Sequence, residues 1–102
     1  MKDPKEVVKR IVLELGRKDR EKRKLVRIRG RLERDLEEVE GLMEELVDGG
    51  SSGGAPPELL LEKQRLEEVL DETYLSIDQL SQEREVLLDR KRTLQKYTRE
   101  YG

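Results

Sequence analysis

Hydrophobic residues recur along this chain in alternating steps of four and three, on either side of one interruption. In the first half the stripe runs through Val8, Ile11, Leu15, Leu25, Leu32, Leu36, Val39, Met43 and Leu46, with Lys18, Lys22 and Arg29 standing on the same positions. In the second half Leu59, Leu66, Thr73, Leu80, Leu87, Leu94 and Tyr101 are spaced by seven, with Lys63, Leu70, Ile77, Arg84, Lys91 and Thr98 as companions. A seven-residue repeat with two apolar positions returns to the same side of an α-helix every two turns. Both halves therefore read as long helices that meet along a narrow seam.

The interruption is Gly49-Gly-Ser-Ser-Gly-Gly-Ala-Pro-Pro57, whose glycines and prolines end one helix and start the next. Helix boundaries near 4–47 and 58–100 follow, with a flexible linker at 49–57. Asp3 before Pro4 predicts the first helix start, because the carboxylate accepts orphan amide protons and proline suits the first helical position. Glu6 stands where a capping box places its acid. Helices of that length would each extend about 66 Å, whereas the bridge spans about 30 Å at full stretch, so the helices must run antiparallel. The predicted fold is an all-α, two-helix antiparallel coiled-coil hairpin forming a single domain over 1–102, with hairpins pairing into a four-helix dimer. The expected register sets Met43 against Leu66, Val39 against Leu70, Leu36 against Thr73, Leu32 against Ile77, Leu15 against Leu94, and Val8 against Tyr101. It also sets Lys18 close to Lys91. The Gly-Gly-Ser-Ser-Gly-Gly run has the composition of an engineered linker joining two helices, and on that reading the chain is an arm excised from a larger protein.

Composition narrows the function. Of 102 residues, 45% are charged and 33% hydrophobic, with no Phe, Trp, Cys or His. Such a chain has too little apolar bulk for a thick core, but the periodic stripe argues against disorder. Without cysteine there are no disulfides and no thiolate metal site. No apolar run approaches a membrane span, which points to a soluble chain with no membrane insertion, intracellular rather than secreted.

Charge is distributed unevenly. Arg17, Lys18, Arg20, Lys22, Arg23, Lys24, Arg27, Arg29 and Arg31 face only Asp19 and Glu21 within 17–31, a balance of +7. This is a basic patch suited to phosphate or another anionic surface. No aromatic residue interleaves it, which restricts any nucleic-acid contact to the backbone. Residues 33–48 carry eight acids and one base, residues 58–72 six acids and two bases, and residues 84–102 six bases and three acids. Two hairpins pointing in opposite directions would bring acidic and basic ends together. Val12, Val26, Ile28, Tyr74, Leu88 and Tyr97 flank the seam and are candidate partner-binding residues, since a two-helix interface needs only the narrow stripe. Gly16 and Gly30, two heptads apart on one outer face, and Gly41 each cost a helix about 1 kcal/mol; close approach by a partner backbone is one reason to keep them, and a local bend is the other.

Nothing suggests catalysis: there is no histidine or cysteine, no phosphate loop, and adjacent acids such as Glu37-Glu38 diverge on a helix. No catalytic residue, cofactor, metal or small-molecule substrate is expected. Carried by heptads along the whole length, the layout resembles the antiparallel coiled-coil arms of chromosome-maintenance and repair ATPases and of prefoldin-like adaptors. The expected function is a protein interaction, dimerisation or scaffold module; the alternative is an arm that binds nucleic acid or another anionic surface through 17–31.

Overall fold

The computed structural model describes residues 3–49 and 54–101. Gly50–Gly53 of the bridge and the side chain of Tyr101, assigned above to the seam, lie outside the described residues. Two long helices, α1 (Pro4–Asp48) and α2 (Pro57–Tyr101), pack against each other, and the described residues form no strand.

Local chemistry sets the helix ends. At the start of α1 the Asp3 carboxylate accepts the Lys5 amide at 3.1 Å, and its carbonyl takes the Glu6 and Val7 amides at 3.0 and 3.2 Å. Glu6 contributes a negative charge to the first turn without a reciprocal side-chain bond among the described residues. The α1 C-terminus closes on the Gly49 amide, which donates to the Glu45 carbonyl at 2.8 Å; a Cβ on Gly49 would come within 3.0 Å of that same oxygen. Gly54 adopts a φ of +74°, a left-handed conformation that glycine takes without steric cost. Pro57 then opens α2, and the Pro56 carbonyl accepts the Leu59 and Leu60 amides at 3.1 and 3.2 Å.

The residues group into two compact units, Met1–Lys24 with Ile77–Gly102, and Leu25–Ser76. In the first, Ile11, Leu15 and Ile77 are buried, Ile11 to 5% exposure, and Ile11 shares an open groove with Leu87 and Leu94. Val8 lines another with Gln95 and Thr98. In the second, Leu66, Leu70 and Thr73 are buried. The buried Thr73 hydroxyl donates to the Val69 carbonyl at 2.8 Å, so it enters the apolar seam already satisfied.

Within each unit the segments run antiparallel, but about one heptad away from the expected register. Lys18 lies 2.6 Å from Glu83, not beside Lys91, which is eight residues and about 12 Å farther along α2. Arg29 stands over the Tyr74 ring at 5.8 Å, next to Thr73, which the expected register sets against Leu36. Lys63 reaches Glu40 at 4.0 Å, beside Val39, which the expected register sets against Leu70, seven residues farther along α2. The cause is electrostatic. Sliding by seven leaves an apolar repeat unchanged, while it brings Lys18-Asp19 beside Glu83-Arg84, where each cation meets the carboxylate diagonal to it.

Candidate interaction surface

Of the seam residues, Ile11, Leu15, Leu66, Leu70 and Ile77 are buried, while Val8, Leu25, Leu32, Leu36, Val39, Met43, Leu80, Leu87 and Leu94 are half-buried and Leu46 is exposed. The thin core reflects the geometry: two helices cover only one side of each other, so a residue one step off the contact line stays in water.

In the unit formed by Met1–Lys24 and Ile77–Gly102 the seam gives way to a crossed pair of ion bridges. Lys18 and Asp19 are neighbours on α1, and Glu83 and Arg84 are neighbours on α2. Lys18 Nζ lies 2.6 Å from Glu83 Oε2, and Arg84 Nε donates to Asp19 Oδ1 at 2.8 Å. Glu14 approaches Lys18 at 3.7 Å and also binds Arg17. The Lys18 side chain, 15% exposed, runs its methylenes along the seam and delivers its charge to carboxylates at the edge. Its hydrogen bond to Glu83 holds the ammonium above its ordinary value, and the same bond holds the Glu83 carboxyl below the usual carboxylate range. In the unit Leu25–Ser76, Tyr74 donates to Glu33 at 2.8 Å while Arg29 bridges the same carboxylate at 3.5 Å. The hydrogen bond to Glu33 raises the Tyr74 phenol.

These contacts divide the basic patch. Arg17, Lys18 and Arg29 are held by carboxylates of their own chain. Arg20, Lys22, Arg23, Lys24, Arg27 and Arg31 have no carboxylate within salt-bridge distance among the described residues, although Arg23 donates to the Asp19 carbonyl at 3.3 Å. All of them are exposed except Lys22, which is half-buried.

The flanking candidates also divide. Val12, Ile28, Tyr74 and Tyr97 are exposed, Val26 and Leu88 half-buried. Four more apolar residues stand farther out than any of these and were missed by the periodicity: Leu13 at 73%, Leu75 at 70%, Val86 at 66% and Leu61 at 60% exposure. The positions three and four residues from each are polar, glycine or proline, so no repeat marked it; the signal available was simply a leucine or valine where a solvated helix face calls for charge.

Charge also sorts by unit. Met1–Lys24 with Ile77–Gly102 holds sixteen Lys and Arg against ten Asp and Glu, net +6, and Leu25–Ser76 holds six against fourteen, net −8, which together give the chain's −2. Among the described residues no group of acids is arranged to hold a metal ion, and no described helix is long and apolar enough to cross a membrane. No family model matches the chain, and no curated protein or solved structure matches it.

Proposed function

We propose that the chain is a non-enzymatic coiled-coil interaction module, whose helices associate with those of a second hairpin into a four-helix arrangement. One observation carries this reading: leucines and valines stand 60–73% exposed on outward helix faces while only a thin seam is buried. Water-exposed leucine on a helix that already has a partner contributes little to the hairpin, whereas fully burying such a side chain against another helix stabilises an assembly by about 1.5–3 kcal/mol. The segregated charge supports the same reading, because like charges gathered on one unit favour a partner that brings the opposite sign. Sedimentation equilibrium tests it directly. Association through the micromolar range, with a melting temperature that rises with concentration, is the expected result; a strict monomer would defeat it. A second reading is favoured by the unpaired cations of α1, which would suit a phosphate backbone.

A further inference from the structure

On the interaction-module reading, we infer that the occupant of the outer face of α1 in the basic unit is the outer face of α2 in the acidic unit of a second copy of this chain. The α1 face is formed by Lys9, Leu13, Gly16, Arg20 and Lys24, spaced three and four apart and so brought to one side of the helix. It holds one leucine among cations, and Lys9, Arg20 and Lys24 meet no carboxylate among the described residues. The α2 face is formed by Leu61, Glu68, Glu72 and Leu75, spaced seven, four and three apart. It holds two leucines among acids. Among the described residues Glu68 and Glu72 have no cation within salt-bridge distance, and the base on this side, Arg65, is already bridged to Glu62 at 3.9 Å.

The two faces are complementary in sign, and each offers leucine that the hairpin leaves in water. Gly16 adds a steric reason. A Cβ built on it meets nothing within 4 Å, so nothing inside the chain requires glycine there. Facing a second helix, the missing side chain lets the leucines of the partner come closer to the α1 backbone. A polyanion would satisfy the α1 cations alone and leave the α2 acids and both sets of leucines unpartnered. A second copy brings the acids and the leucines together.

Two charge-reversed variants test this: R20E with K24E, and E68K with E72K. All four residues are exposed and bridge to no opposite charge among the described residues, so the hairpin itself should keep its helicity, checked by circular dichroism. The wild type is expected to dimerise at about 50 mM salt and to weaken at least tenfold near 0.5 M, where the screening length falls to about 4 Å. Each variant alone should be monomeric, and an equimolar mixture should form a one-to-one heterodimer. Dimerisation of both variants at wild-type strength would overturn this assignment and leave the interaction-module reading standing. Monomers throughout would defeat both. A monomeric wild type retained on duplex DNA at low salt, and released by R20E with K24E, would assign the α1 face to a phosphate polyanion instead.

Discussion

Leu70→Ala should be among the most damaging single truncations in the Leu25–Ser76 unit. Leu70 is 8% exposed, so the three carbons removed lose nearly their full burial. At about 0.8 kcal/mol per methylene the loss comes to about 2.4 kcal/mol. The additional cost of a cavity should be small, because a seam one layer deep lets water and neighbouring side chains fill the gap, which places the total at the low end of the leucine-to-alanine range of about 2–5 kcal/mol. Leucine and alanine are both good helix formers, so propensity does not offset this loss. For a chain of this size about 2.4 kcal/mol corresponds to a fall in melting temperature of about 10–20 °C. Leu75→Ala is the internal control: five residues away on the same helix, its side chain is 70% exposed, and the same arithmetic leaves about 0.7 kcal/mol at most. Thermal melts followed by circular dichroism at 222 nm, taken dilute enough to keep the chain monomeric, measure both. A Leu70→Ala melt within about 3 °C of wild type, or a Leu75→Ala melt equally depressed, would refute the assignment of the buried seam.

Gly16→Ala and Gly30→Ala should each stabilise the isolated hairpin by about 1 kcal/mol, since helix propensity rises and the added methyl meets nothing; a lower melting temperature in the dilute monomer would show that the backbone there is under constraint. Gly54→Ala should destabilise by about 1–2 kcal/mol, because its φ of +74° is strained for any residue with a Cβ, and a neutral result in urea titration would count against that turn. The Lys18–Glu83 bridge predicts a signed pH response. The carboxyl is depressed in the folded state, so its contribution is present above its ordinary value of 4.5 and disappears as pH falls through the folded value. Lys18 is raised, so its contribution holds below 10.5 and disappears as pH climbs through the folded value. Glu83→Gln should flatten stability on both limbs, and pH profiles that superimpose on wild type would contradict the bridge.

The two helices were legible in the residues because three independent signals agree: a cap at Asp3-Pro4, heptad spacing, and glycine at both sides of the bridge. Their alignment was not. A seven-residue repeat looks the same after a shift of seven, so Leu66 and Leu70 find apolar neighbours in more than one register. The deciding information lay in residues that a hydrophobic reading treats as interruptions. Lys18-Asp19 on α1 and Glu83-Arg84 on α2 are complementary along their diagonals, Lys18 with Glu83 and Asp19 with Arg84, and pairing the charged dipeptides before the leucines would have found the alignment. The basic patch was legible as composition, but its division into bridged and unbridged members depends on which carboxylates the partner helix brings, which only the register determines. Leu13, Leu61, Leu75 and Val86 escaped because a solitary apolar residue breaks no pattern.

Thr73 has one more implication. Its hydroxyl proton is given to the carbonyl one turn back on its own helix, as are those of Thr93 and Thr98. A polar group that has found its acceptor at home makes no demand on whatever lies across from it. Threonine at these places therefore cannot act as a notch that tells one alignment from the next. Only the charged crossings can, and concentrated salt, by weakening them, should leave the helices intact yet freer to slip past each other by whole repeats.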